Sequence, residues 1–129
     1  MSGWDAYVSN LLQNAEGIKK AAIIGVEDSG VWARSDDFNA TESELQGLTN
    51  NFKNLDAVPQ TGVNLEGVHY IVPRVEESLI FGKKGVNGFV AVKTNSAIIL
   101  ALFEGETGAG SATRGAVEKL AGYLVETGY

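Results

Sequence analysis

From Gly67 to Phe103 the chain is cut into four short apolar runs, Val68 to Val72, Leu79 to Phe81, Phe89 to Val92 and Ile98 to Phe103. Between them stand turn formers: Glu76-Glu77-Ser78, Gly85 to Gly88 and Thr94-Asn95-Ser96. A parallel crossover needs about a dozen residues or more, so runs joined this closely can pair only antiparallel. An antiparallel meander is therefore imposed on this stretch, and the rest of the chain must cover it.

The remaining segments supply that cover. Trp4, Tyr7, Val8, Leu11, Leu12 and Ala15 recur at helical spacing, which predicts a helix over 4–15 with Gly17 placed to end it. Ala21 to Val26 and Val31 to Ala33 flank Asp28-Ser29-Gly30 and predict a hairpin. Thr41-Glu42-Ser43-Glu44 matches a capping box, with Leu45, Leu48 and Phe52 continuing a shorter helix. After the glycine-rich stretch 105–110, Ala116, Val117, Leu120, Ala121 and Leu124 mark the buried face of a last helix. The expected class is α+β, an antiparallel sheet with helices on its faces. At 129 residues, 44% of them hydrophobic, the chain reads as one domain, 1–129; a domain of this length buries roughly two-thirds of the surface its unfolded chain exposes.

Several function classes are excluded or disfavoured. The chain has no cysteine, so disulfide, thiolate and cysteine-ligated metal chemistry is ruled out and a reducing compartment is expected. No signal-like N-terminal segment and no run near the roughly 18 apolar residues of a membrane span is seen. Asn39-Ala40-Thr41 is then a chance match to a glycosylation sequon. A net charge of -6 argues against a nucleic-acid partner. Arg74, Lys83, Lys84 and Lys93 are close enough in sequence to suggest a local basic patch.

Catalytic motifs are lacking. His69, the only histidine, lies mid-strand without a Gly-x-Ser-x-Gly elbow, so a hydrolase would have to depend on it alone. Gly82-Lys83-Lys84-Gly85 has neither the spacing nor the hydroxyl of a phosphate loop, and Gly82 to Gly88 reads as a hairpin loop. Gly105 to Gly110 does not match a dinucleotide fingerprint and reads as a strand-to-helix loop. No metal constellation is visible. The aromatic residues carry more. If the terminal helices lie side by side, Trp4, Tyr7, Trp32, Tyr123 and Tyr129 can line a groove suited to a rigid polyproline II ligand.

Ser2-Gly3-Trp4-Asp5-Ala6-Tyr7-Val8, Gly30-Val31-Trp32-Ala33, Leu65-Glu66-Gly67-Val68-His69-Tyr70, Gly82-Lys83-Lys84-Gly85 and Val117-Glu118-Lys119-Leu120-Ala121-Gly122-Tyr123-Leu124 together resemble the profilin family along essentially the whole chain, in its shorter invertebrate, protist and plant-like form. The resemblance implies terminal helices packed on one face of the sheet and smaller helices on the other. It implies a cytoplasmic, cytoskeleton-associated monomer that binds actin monomers, promotes nucleotide exchange on actin and docks proline-rich partners such as formin-like regulators. No cofactor is implied. Carried over by residue, the polyproline site is Trp4, Tyr7, Trp32, Tyr123 and Tyr129, with a tyrosine at 123 where vertebrate forms often have histidine. The actin surface is His69, Arg74, Lys83, Lys84, Arg114 and Lys119, where Arg114 replaces the asparagine often found there and Lys119 departs from the acidic residue of vertebrate forms. Phosphoinositide contact would fall to Arg74, Lys83, Lys84 and Lys93. The main competing reading is a non-catalytic regulatory or small-molecule-sensing α+β domain, whose signature would be an interior pocket.

Overall fold

Apolar residues of the meander alternate between two cores, and that alternation decides where each helix packs. The protein is represented by a computed structural model that describes residues 4–14, 17–27, 29–76, 78–105 and 109–129. In chain order the elements are α1 (Trp4–Asn14), β1 (Ile18–Gly25), β2 (Val31–Arg34), α2 (Glu42–Asn51), a single 3-10 turn (Leu55–Ala57), α3 (Val58–Thr61), β3 (Val63–Leu65), β4 (Val68–Glu76), β5 (Leu79–Lys84), β6 (Asn87–Lys93), β7 (Ala97–Phe103) and α4 (Ala109–Glu126). The strands form one antiparallel sheet in the order β2-β1-β7-β6-β5-β4-β3. Ala15, Asp28, Glu77 and residues 106–108, which entered the expected helix end, turns and loop, lie outside the described residues, as do Ser2 and Gly3.

Strand β7 shows the principle. All seven of its residues are buried, which is why its sequence is a continuous apolar run without a polar face. Ala97, Ile99, Ala101 and Phe103 point to a core that also holds Val8 and Leu11 of α1 and Val117, Ala121 and Leu124 of α4. Ile98, Leu100 and Leu102 point to the opposite core, with Leu45 and Leu48 of α2 and Val58 of α3. The terminal helices thus share one face and the small helices the other, as expected. Each fully buried Ile or Leu contributes roughly 1.5–3 kcal/mol, so both cores are needed.

Expectation and structure differ at two places. The segment 82–88 is mostly strand, not loop: Gly82 pairs with Phe89, Lys83 with Gly88 and Lys84 with Asn87, leaving Gly85-Val86 as the turn. Gly85 has φ 63, which suits the first central position of a two-residue hairpin turn. The chain between α2 and β4 also holds α3 and β3, which the sequence reading did not resolve. Pro59 sits in the first turn of α3, where its missing N–H costs nothing.

The capping box of α2 forms, and it does more than cap. Thr41 N–H donates to Glu44 Oε1 at 2.9 Å and Glu44 N–H to Thr41 Oγ1 at 3.1 Å. The same carboxylate accepts the N–H groups of Glu66 at 2.9 Å and Gly67 at 2.8 Å. Those two residues are the β3–β4 turn, with φ values of 54 and 77. A left-handed glutamate is unfavourable, and Glu44 holds it by satisfying both turn amides. Glu66 in turn pairs with Lys20 at 3.0 Å and accepts the Asn39 N–H at 2.7 Å.

Partial burial works to raise the Glu44 pKa, but the Gly67, Thr41 and Glu66 amides and the Thr41 hydroxyl together bring it below the ordinary value. A lowered carboxyl pKa adds stability above the unfolded value, about 4.3, that is lost as pH falls toward the folded one. Glu44→Ala is expected to cost about 2 kcal/mol at neutral pH, read by urea denaturation. The difference from wild type should shrink below pH ~4; a difference that held constant into acid would show that the carboxylate charge is not what clamps the turn.

Candidate functional site

Helix α1 presents Trp4 and Tyr7 from its first turns, β2 presents Trp32, α4 presents Tyr123 from its last turns, and Tyr129 follows α4. Ring centroids are 4.9 Å apart for Trp4 and Trp32, 4.9 Å for Trp4 and Tyr129, 5.6 Å for Trp4 and Tyr7, and 6.0 Å for Tyr7 and Tyr123. The five rings therefore form one continuous surface, with Trp4 touching three of the others. All pairs are tilted or edge-on, the geometry aromatic quadrupoles favour. Trp4, Tyr7 and Trp32 are half-buried against the terminal-helix core, whereas Tyr123 and Tyr129 are 50% and 43% exposed. Rings seated on a core but open on one side suit stacking against a ligand.

Tyr129 is held at its backbone as well as its ring. Its N–H bonds to Leu124 O at 2.8 Å, and its main-chain oxygen accepts the Ser96 N–H at 2.6 Å and the Thr94 hydroxyl at 3.0 Å. Gly128, at φ 103, allows the chain to leave α4 and fold back to these partners. The β6–β7 turn thus fixes one wall of the aromatic surface. Desolvation first, and then a hydrogen bond with Tyr123, push the Tyr7 phenol above its usual pKa. The Tyr7 phenol therefore stays neutral across the physiological range, which suits an uncharged ligand that offers carbonyl acceptors.

From Tyr7 and Tyr123 the surface continues into a groove of about 750 Å³ between α1 and α4, floored by Leu11 and Leu120 and edged by Asn10 and Lys119. Lys119 was grouped by resemblance with the actin surface, yet it lines this groove. The spacing carried that signal: Lys119 and Tyr123 are four residues apart and share one side of α4.

The other basic residues separate. Lys83 pairs across the sheet with Ile71, which is 62% exposed, and His69 lies two residues before Ile71 on the same strand. These three share a face; the exposed Ile71 was missed by sequence reasoning because one apolar residue in a strand run gives no sign of pointing outward. Lys84 follows Lys83 and points to the opposite face. Lys93 stands at the far end of β6 from the Lys84–Asn87 pair, roughly 20 Å away at strand rise. The side chain of Arg74 lies outside the described residues; its backbone pairs with Phe81. Arg114 is held by Glu76 at 2.7 Å and Glu118 at 2.6 Å. Lys83, Lys84 and Lys93 thus do not gather into one phosphate-binding cluster among the described residues.

His69 Nδ1 meets the Asn64 carboxamide at 2.7 Å across the β3–β4 pair rather than a carboxylate. Among the described residues, no group of three or more His, Asp or Glu side chains is placed to hold a metal ion. Another cleft, of about 980 Å³, lies away from the aromatic surface at one end of the sheet, bordered by Lys20, Glu66, Tyr70, Lys84, Val86 and Glu104. It is an open depression of mixed charge rather than an interior ligand pocket.

The profilin family model matches residues 2–129. The chain is 52% identical to Profilin-2 of Caenorhabditis elegans over 132 aligned positions, covering 100% of both. A solved Schizosaccharomyces pombe profilin is similar with a TM-score of 0.91 at 35% identity, covering 98% of this chain and 100% of that one. Mouse profilin IIa, solved in complex with a double repeat from the FH1 domain of mDia1, has a TM-score of 0.78 at 21% identity, with 99% and 100% covered. At that distance the last likeness speaks to the fold alone.

Proposed function

The chain belongs to the profilin family, and from that premise we propose that it is a cytoplasmic actin-monomer-binding protein that docks proline-rich segments on its aromatic surface. The observation that carries the reading is the convergence of Trp4, Tyr7, Trp32, Tyr123 and Tyr129 from four parts of the chain onto one open face. Such a face suits a polyproline II helix, which is stiff before binding and loses little entropy on docking. The actin surface is assigned to the later strands and the start of α4, where His69, Lys83 and the exposed Ile71 share a face and Arg114 stands nearby on α4, tied to Glu76. Arg74 belongs to this set by its place on β4.

The action on actin is binding without chemistry. Nucleotide exchange is accelerated if the protein binds an open-cleft form of actin better than a closed one, a differential affinity that requires no catalytic group here. The formin-like proline-rich segments would then hold the complex near growing filament ends.

Trp4 and Trp32 are the only tryptophans and both lie in the aromatic surface. Titration with a proline decamer is therefore expected to give a saturable change in tryptophan fluorescence. Absence of any change at millimolar peptide would remove the polyproline half of the proposal. Actin binding is tested separately by the slowing of pyrene-actin polymerisation.

A further inference from the structure

Beside the outer ring of the aromatic surface lies a small polar pocket that stacking alone does not use. It has a volume of about 300 Å³ and is lined by Gly25, Glu27, Trp32, Asn95 and Ser96. Two turns build it. Val26 N–H donates to Ser96 O at 3.0 Å, and Ser96 N–H donates to the main-chain oxygen of Tyr129 at 2.6 Å. The pocket is thus continuous with the aromatic surface twice over: Trp32 stands 4.9 Å from Trp4, and Ser96 is bonded to the residue whose ring packs on Trp4.

The chemistry of the walls is specific. Trp32 offers an indole, Glu27 an exposed carboxylate, and Asn95 and Ser96 neutral hydrogen-bonding groups. Among the described residues, no basic one lines the pocket. Lys93, nearest in sequence, alternates onto the face opposite Val92 and the terminal helices, and Lys119 lies in the groove beyond Tyr123. An indole beside an unneutralised carboxylate favours a planar cation that can stack and pair at once, which describes a guanidinium better than an ammonium.

The spacing of the rings brings such a group within reach. Successive steps from Trp32 through Trp4 and Tyr7 to Tyr123 are 4.9, 5.6 and 6.0 Å. A polyproline II segment rising about 3.1 Å per residue covers them with about five or six prolines. The residue flanking the run at the Trp32 end then falls over the pocket. We propose that the pocket formed by Glu27, Trp32, Asn95 and Ser96 is a specificity subsite for an arginine flanking the proline run of the ligand. This rests on the polyproline reading above and adds a polarity to it, since a proline run by itself gives the groove little to distinguish its two ends.

The test uses the full chain and four peptides: a proline decamer, the decamer with arginine added at its N-terminal or its C-terminal end, and the tighter of these with citrulline in place of arginine. The decamer is longer than the row of rings, and sliding in register brings whichever terminus faces Trp32 over the pocket. One arginine peptide is expected to bind about five- to tenfold tighter than the decamer, with the gain lost in the citrulline peptide. In Glu27→Gln the ratio of arginine peptide to decamer affinity should fall to about one. Failure of the decamer to bind wild type would overturn the polyproline reading and this subsite with it. Decamer binding without an arginine gain, or a gain that persists in Glu27→Gln, overturns the subsite alone and assigns any attraction to the net charge of the protein.

Discussion

Trp4→Ala is expected to weaken proline-decamer binding about thirtyfold or more, on the order of 2 kcal/mol. Trp4 is the ring through which Trp32 and Tyr129 connect to Tyr7, so its loss splits the surface rather than trimming an edge. Affinity for actin monomers should change little, because His69, Ile71 and Lys83 are carried by β4 and β5, toward the opposite edge of the sheet from β2. Trp4 also packs on the terminal-helix core, and some loss of stability is expected. Urea denaturation of the variant separates the two effects. Equal losses of both ligands would mean that the ring serves the fold and not the groove.

Gly82→Ala is expected to destabilise the fold by about 3 kcal/mol, at the upper end of what overpacking costs. Gly82 pairs directly with Phe89, whose ring is fully buried and lies across the glycine. A Cβ at position 82 would sit 2.0 Å from Phe89 Cε2 and 2.6 Å from Cδ2. The ring is fully buried and Tyr70 packs edge-on against it at 5.3 Å, which opposes its retreat. Gly47 gives the matched contrast. It lies exposed in α2 with nothing within 4 Å of an added Cβ, so Gly47→Ala should stabilise by roughly 0.5–1 kcal/mol. Chemical denaturation of both variants checks the pair, and similar effects for the two would show that the Phe89 contact is not what selects glycine at 82.

What could be read from residues alone follows from how local each signal is. The capping box at Thr41 and Glu44 involves neighbours in sequence and formed as expected. The aromatic set was legible because Trp4 and Tyr7 share a helical face, but that Tyr129 closes the surface depends on Thr94 and Ser96, which no local pattern links to it. Gly82 to Gly88 misled because glycine marks both turns and close approaches; only the buried ring of Phe89 tells which is meant. Strand β3 was missed because three residues are too few to show alternation. Lys83, Lys84 and Lys93 suggested a patch through nearness in sequence. A strand turns that nearness into opposite faces and opposite ends.

The strand order carries one more consequence, for the time before the fold is complete. Strands β3 to β7 pair with their sequence neighbours and can zip as local hairpins, whereas β1 reaches β7 only by closing most of the chain into a loop. Non-local closure of this kind is slow. Until the N-terminal hairpin docks, β7 is an edge strand reading Ala-Ile-Ile-Leu-Ala-Leu-Phe, without a charge, a proline or a glycine to discourage pairing with another chain. The hazard to this protein is therefore concentrated in nascent and refolding chains, and it ends when Ile23 comes to lie beside Ile99.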